Sequence, residues 1–147
     1  MTDHDHDVDG PKTPDIKEFS AHQREQGMKV RREVLGDAHV DRAEAGKNEF
    51  TADFQDFITR YAWGDVWSRP GLDRRSRSVA TLAALVALGA ENEIPLHVRA
   101  ALRNGLSADE IKETILHTAI YAGVPRANSA FAIAQRVLAE ERDTPSQ

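Results

Sequence analysis

The sequence predicts an all-α protein with a single domain, on three observations. At 147 residues, 40% of them hydrophobic, the chain has the size of one domain with one modest core. Its apolar residues are mostly Ala, Leu and Val, which favours helix packing over a β-sheet. Apolar positions also recur at helical spacing. We expect about six helices over residues 21–142, after a disordered acidic tail (1–20) and before a frayed C-terminus (143–147).

Apolar stripes predict the first two helices. Val30, Val34 and Ala38 recur every fourth residue, so the first helix should run from about Arg24 to Ala43. Gly64 should end the second helix, because glycine is common just past a helix C-terminus. The apolar stripe of that second helix comprises Phe50, Phe54, Phe57, Ile58 and Tyr61.

Capping signals predict the other four helices. Asp73 can cap a third helix that reaches Leu88. Pro95 suits the first turn of a fourth, which should end at the Asn-Gly pair 104–105. The Ser-Ala-Asp-Glu stretch 107–110 is a capping box for a fifth helix, and Pro125 opens the sixth.

The composition excludes several classes of function. The chain has no cysteine, which excludes disulfides, thiolate nucleophiles and thiolate metal sites. No apolar run approaches the roughly 20 residues that span a bilayer, and the N-terminus is acidic, so we expect a cytoplasmic protein that binds no membrane. The net charge of −5 comes mostly from residues 1–18, and the near-neutral remainder predicts no nucleic-acid partner.

Four stretches carry a family resemblance: VRREVLGDAHVDRA (30–43), YAWGDVWSRPGLDRRSRS (61–78), LHVRAALRNGLSADEIKE (96–113) and LHTAIYAGVPRAN (116–128). Together they resemble the gamma-carboxymuconolactone decarboxylases, a family of the alkylhydroperoxidase-D-like superfamily. The resemblance covers roughly three quarters of the chain and implies an orthogonal all-α fold and a homo-oligomer, as a trimer or hexamer. It also implies decarboxylation of 4-carboxymuconolactone, a dicarboxylate lactone, to 3-oxoadipate enol-lactone and CO2 in the protocatechuate branch of the beta-ketoadipate pathway.

Peroxidases of the superfamily carry a Cys-x-x-Cys-x-x-x-His motif, with a Glu on the preceding helix. When their His is aligned with His97, Ala90 and Glu93 stand at the two cysteine positions and Ser78 at the Glu position. Disulfide peroxidase chemistry is therefore excluded, and Glu93-x-x-x-His97 remains where the superfamily keeps its reactive groups.

The implied reaction needs neither a metal nor an organic cofactor. Many decarboxylases use a cofactor to accept the electrons of the breaking C–C bond. In a butenolide with a carboxylate on its ring carbon, those electrons can spread as a dienolate onto the lactone carbonyl. The protein must then hold two carboxylates, stabilise an oxyanion and deliver a proton to ring carbon.

His97 is the predicted proton-transfer residue, because the ordinary pKa of imidazole lies near neutrality. Glu93, one helical turn earlier, could orient the ring and favour imidazolium. The alternative is an exposed surface pair. His117 could donate to the lactone or to a carboxylate, with Tyr121 on the same stripe, although a structural histidine at a subunit contact explains it equally well.

Arg74, Arg75 and Arg77 cluster at a helix N-terminus, where cations oppose the helix dipole. That mismatch favours Arg74 as a ligand of a substrate carboxylate. Arg77 is a second candidate, although surface or interface ion pairs are the alternative for it and for Arg75. Trp67 could wall a pocket that excludes water, or could anchor a loop.

Three other functions compete with this one. Residues 97–121 resemble a helix-turn-helix, but the second helix begins with Ala-Asp-Glu, and such a face repels phosphate. The fold could instead serve a non-catalytic oligomeric binding protein. It could also serve another lyase or isomerase that acts on a different small carboxylate.

Overall fold

The computed structural model describes residue 13 and residues 15–144, and within these it confirms the all-α prediction, with helices and no strand. The predicted tail (1–20) lies largely outside the described residues, but residues 16–20 are helical. A π-helical stretch, here the π segment (Thr59–Val66), continues α3. The helices are α1 (Ile16–Leu35), α2 (Asp37–Ala45), α3 (Ala52–Ile58), α4 (Arg74–Leu88), α5 (Ile94–Arg103), α6 (Ala108–Ala122) and α7 (Val124–Asp143).

The predicted first helix is wrong at its start and in its middle. It begins at Ile16, where the Asp15 side chain accepts a hydrogen bond from the Lys17 N–H at 3.3 Å. It is divided at Gly36, whose φ of 87° and ψ of 148° end α1 and start α2 in a new direction. Only glycine adopts such a conformation without steric cost, so one residue turns one predicted helix into two.

The predicted stop at Gly64 is also wrong, because the chain continues as a π helix to Val66. Gly64 instead provides close packing against α1. A side chain on Gly27 of α1 would collide with the Thr59 carbonyl oxygen, and one on Gly64 would collide with the Gln23 carbonyl oxygen. The two backbones therefore touch through reciprocal glycines.

The capping predictions for the later helices are confirmed. The Asp73 side chain accepts from the Ser76 N–H at 2.7 Å, and Gly89 follows α4 with φ of 68°. The Ser107–Glu110 capping box is present in both directions. These signals could be predicted because each depends on residues at most three positions apart.

Two clusters of buried residues form the core, and α5 contributes to both. Val98 and Ala101 join the larger cluster, which is built from α4 to α7. Ala100 joins the smaller one, which α1, α2 and the π segment build around Val34 and Trp63. The N-terminal and C-terminal halves of the fold thus meet along α5. No helix in the described part of the chain has the length and apolarity needed to cross a bilayer.

Candidate active site

His97 and Glu93 meet at the start of α5. Glu93 is the N-cap residue, and its backbone carbonyl accepts a hydrogen bond from the His97 N–H at 3.2 Å. Pro95 lies in the first turn, so the exposed Glu93 carboxylate stands before the helix instead of one turn along its face. The two side chains are therefore neighbours, but in a looser arrangement than a helical pair.

Burial dominates the protonation of His97. The pKa of this half-buried imidazole is lowered by burial, while the charge of Glu93 acts in the opposite direction and raises it. The expected influence of Glu93 is present, but it is smaller than the cost of placing a charged imidazole in the protein. In the protein alone, His97 is consequently held toward its neutral form.

His39 on α2 is a second imidazole at this site, and sequence reasoning did not single it out. Its pKa is lowered by burial and then by the charges of Arg31 and Arg42, while Glu93 raises it. His39 also contributes to the lowering of the His97 pKa, so the two imidazoles are close enough to interact. The only sequence signal for His39 was its place in the stretch 30–43.

His39 lines a cleft of about 390 Å³ between α2 and α5, whereas Glu93 and His97 are not among its lining residues. Glu93 and His97 are the chain neighbours of two residues of its wall, Asn92 and Leu96. The wall holds one histidine and three arginines, with no carboxylate among the described residues. Such a cleft suits an anionic molecule. Its lining comprises Leu35, Ala38, His39, Arg42, Asn92, Pro95, Leu96, Arg99 and Arg103.

The three arginines of the cleft differ in their partners. Arg99 donates to Glu140 at 2.6 Å and to Glu141 at 3.0 Å. Arg42 and Arg103 form no ion pair with any carboxylate in the part of the chain that the structure describes. Two cations of the cleft wall are therefore available to a bound anion.

Arg31 places a further positive charge beneath the cleft. It is only 3% exposed, and its two terminal nitrogens donate to Thr59 Oγ1 at 3.2 Å and Gln55 Oε1 at 3.0 Å. Its Nε has no hydrogen-bond partner among the described residues. Burial lowers the pKa of the Arg31 guanidinium, and its charge in turn lowers the pKa of His39. The hydrogen bonds of Arg31 go to neutral groups, while the charge of Glu44 raises its pKa and so opposes the effect of burial.

The arginines at the start of α4 have structural partners that the sequence did not reveal. Arg74 donates to Glu33 of α1 at 2.7 Å, and Arg77 donates to the Arg69 carbonyl at 3.1 Å. Arg75 contacts Glu110 and the Gly105 carbonyl. The unexplained charge that favoured Arg74 and Arg77 as carboxylate ligands therefore has a structural explanation.

The two tryptophans pack together at the end of the π segment. Their ring centroids are 5.2 Å apart at an interplanar angle of 32°. Trp63 is buried in the smaller core cluster, and Trp67 packs against that cluster together with Leu96 of the cleft wall. Trp67 thus supports the wall of the cleft without lining it.

His117 and Tyr121 lie in another part of the molecule. Their rings are 5.3 Å apart, and they line a cavity of about 370 Å³ that shares no lining residue with the cleft. Tyr121 is 80% exposed. The fold does not bring these two predicted residues to His97 within one subunit.

Other surfaces of the described chain offer less chemistry. A cavity of about 550 Å³ between α6 and α7 is mainly apolar, with charged side chains such as Asp109 and Arg142 among its lining residues. Among the described residues, no group of three or more His, Cys, Asp or Glu side chains could hold a metal ion. The cleft between α2 and α5 brings His39 together with three arginines, and the charges of Glu93 and His39 both act on His97 beside its wall.

Comparison with known proteins establishes the family of this chain. Residues 52–136 match the carboxymuconolactone decarboxylase family, a range that contains α5 with Glu93 and His97. The chain is 54% identical over 112 residues to a 4-carboxymuconolactone decarboxylase of Acinetobacter baylyi. The aligned region covers 76% of this chain and 84% of that protein. It is 42% identical over 114 residues to the nitrosuccinic acid decarboxylase npaB of Metarhizium robertsii, covering 78% of this chain and 80% of that protein. This chain therefore belongs to the carboxymuconolactone decarboxylase family.

Proposed function

We propose that this protein decarboxylates 4-carboxymuconolactone to 3-oxoadipate enol-lactone and CO2 in the cleft between α2 and α5. The observation that carries the proposal is that His39 lines this cleft with Arg42 and Arg103, neither of which has a carboxylate partner among the described residues. Beside the cleft wall, the charges of Glu93 and His39 both act on His97. The substrate is suggested by the relative from Acinetobacter baylyi, whose name is 4-carboxymuconolactone decarboxylase. The reaction would be one step in the degradation of aromatic compounds through protocatechuate.

The proposed reaction begins when the cleft binds the lactone with both carboxylates ionised. The bond from the ring carbon to its carboxylate breaks, CO2 leaves, and the electron pair spreads through the ring double bond to the lactone carbonyl. The cations of the cleft wall stabilise the oxyanion that forms. Because the lactone accepts these electrons itself, the proposed reaction needs no metal and no organic cofactor.

His97 completes the proposed reaction by giving its proton to ring carbon. Burial lowers the pKa of His97 in the protein alone, but a bound dianion adds negative charge beside the imidazole and raises that pKa. Glu93 acts in the same direction. Substrate binding therefore favours the imidazolium that the protonation step requires.

The direct test is to incubate chelator-treated protein with 4-carboxymuconolactone and to measure CO2 release and loss of the lactone. We expect turnover that chelation does not change. Nitrosuccinic acid is the matched second substrate, because the relative from Metarhizium robertsii is named for it. Turnover of nitrosuccinate alone would support decarboxylase activity but reject the lactone as the substrate. Turnover of neither compound would reject the proposed function.

We also propose that the protein acts as a homo-oligomer in the cytoplasm. Support for self-association comes from exposed apolar side chains on two faces of the subunit. One lies on α3, on the turn before it and on the π segment, and comprises Phe50, Phe54, Phe57 and Tyr61. The other lies at the ends of α4 and α6 and the start of α7 and comprises Leu88, Leu116, Ile120, Tyr121 and Val124. Light scattering tests this proposal, and a monomeric mass at micromolar concentration would contradict it.

A further inference from the structure

Arg103 reaches back from the end of α5 to the corner between α1 and α2. Its Nη1 donates a hydrogen bond to the Leu35 carbonyl oxygen at 3.0 Å, which is one of the unpaired carbonyls at the C-terminus of α1. The same side chain lines the cleft that holds His39 and lies opposite α2. The structure therefore holds one end of this long, flexible side chain in place.

Gly36 provides the space in which the Arg103 guanidinium lies. A Cβ atom built on Gly36 would stand 2.7 Å from Nη2, 2.8 Å from Cζ and 3.2 Å from Nε of Arg103. The φ of 87° that divides α1 from α2 belongs to the same glycine. One residue thus creates both the helix corner and the seat for the guanidinium.

The remaining N–H groups of Arg103 have no carboxylate partner among the described residues. Its neighbour in the cleft wall, Arg99, differs in this respect because Glu140 and Glu141 bind it. The Arg103 charge is close enough to contribute to the lowered pKa of His39. A guanidinium that is fixed on one side and free on the other is preorganised for a planar anion.

We propose that Arg103, seated on Gly36, binds the substrate carboxylate that stays on the product. This inference rests on the proposed function. It names the residue that makes the site prefer substrates with a second carboxylate besides the one lost as CO2. A cation bound to the departing carboxylate would hold negative charge on it and so oppose the loss of CO2. The anchored cation is instead suited to the second carboxylate of the lactone, which belongs to an acetate side chain. The charge of that carboxylate does not change during the reaction.

The first test is Arg103→Lys, which keeps the charge but loses the two-pronged contact. Because the contact is the same in the ground state and the transition state, KM should rise about tenfold to a hundredfold while kcat changes little. The matched control is Arg32→Lys, since Arg32 of α1 already binds Asp37 and Asp41 and does not line the cleft. An unchanged KM in a folded Arg103→Lys variant would overturn the inference, as would a fall in kcat alone.

The second test asks whether Gly36 acts through Arg103. Gly36→Ala should raise KM in the wild-type background and add little in the Arg103→Lys background, because the displaced guanidinium is already absent there. Circular dichroism confirms that the variants remain helical. An equal rise in KM from Gly36→Ala in both backgrounds would contradict the claim that Gly36 acts by seating the Arg103 guanidinium.

The third test does not depend on turnover. Succinate is titrated into the wild type and into Arg103→Lys. The shift of the His39 imidazole is followed by NMR in both proteins, and the shift of the Arg103 Nε–H in the wild type. We expect saturable binding that Arg103→Lys weakens about tenfold and Arg32→Lys does not change. Failure of the lactone assay with this succinate result rejects the proposed substrate and keeps the anion site. Equal binding by wild type and Arg103→Lys, or no saturable shift in wild type, rejects the anion site itself.

Discussion

The two halves of the molecule solve the problem of burial in different ways. The C-terminal half, α4 to α7, fills its core with aliphatic side chains such as Leu82 and Ile111 and closes its helices with caps. The N-terminal half buries a charged arginine, Arg31, beside a π helix. Glycine corners with positive φ occur in both halves, at Gly36 between α1 and α2 and at Gly123 between α6 and α7. The buried cation therefore distinguishes the N-terminal half, and the candidate site lies where that half meets α5.

The largest expected effect concerns proton transfer by His97 of α5, where the two halves meet. His97→Gln should lower kcat about 10² to 10⁴-fold, the usual range for the loss of a general acid or base, while the protein stays folded. The matched control is His117→Gln in the C-terminal half, which should retain most of the activity. Near-normal turnover in folded His97→Gln, with loss in His117→Gln, would move the chemistry to the other cavity.

The next effect compares the two cores directly. Leu82→Ala leaves a cavity in the aliphatic core and should reduce the free energy of unfolding by about 2–5 kcal/mol. Arg31→Met should cost less or even stabilise, because it replaces a buried cation that has no carboxylate partner among the described residues by an apolar side chain of similar length. Urea unfolding measures both, and a larger loss for Arg31→Met would show that its hydrogen bonds outweigh the buried charge.

A smaller effect is the pH dependence of stability. Burial lowers the pKa of His39 and of His97 in the folded protein, so the neutral imidazoles stabilise the fold above about pH 6.5, the usual value in an unfolded chain. That contribution is lost as the pH falls below this value toward the lower folded-state values. Urea unfolding between about pH 7 and 5 should show the decline. A double variant with glutamine at both positions should flatten it, and an unaltered slope would contradict the shifts.

The smallest expected effect is a shift of the activity profile. If His97 donates its proton as imidazolium, kcat should fall as the pH rises through the pKa of His97 in the substrate complex. As the pH rises, kcat/KM should fall as well, but in a lower pH range, because it follows the lower pKa of His97 in the free protein. Glu93→Gln removes a charge that raises the pKa of His97, so both profiles should move to lower pH. Steady-state rates across pH measure this, and a shift in the opposite direction would remove Glu93 from the site.

The sequence predicted the features that depend on near neighbours. The caps at Asp73 and Ser107, the end of α4 at Leu88 and the all-α class all follow from residues within one or two turns of each other. Glu93 and His97 are also near neighbours in the sequence, but their spacing alone favours an exposed surface pair, and the family resemblance is what singled them out. Their roles remain proposals.

What the sequence did not predict depends on distant contacts. The pairing of Arg74 with Glu33 joins positions 41 residues apart, and without it the basic cluster looked functional. The contact of Arg103 with Leu35 spans 68 residues and carried no local pattern. The corner at Gly36 lies inside a stretch of regular apolar spacing, which predicted a continuous helix.

The positions of the two tryptophans determine what fluorescence can report about unfolding. The chain contains two tryptophans, and both belong to the N-terminal half, where Trp63 is buried and Trp67 packs on it. Indole fluorescence therefore reports on that half alone, whereas the circular dichroism signal comes from every helix. If the halves unfold together along α5, the two optical signals give one transition. If the half with the buried cation opens first, the fluorescence changes before the helices of the aliphatic core are lost, and the molecule carries its own sensor of that event.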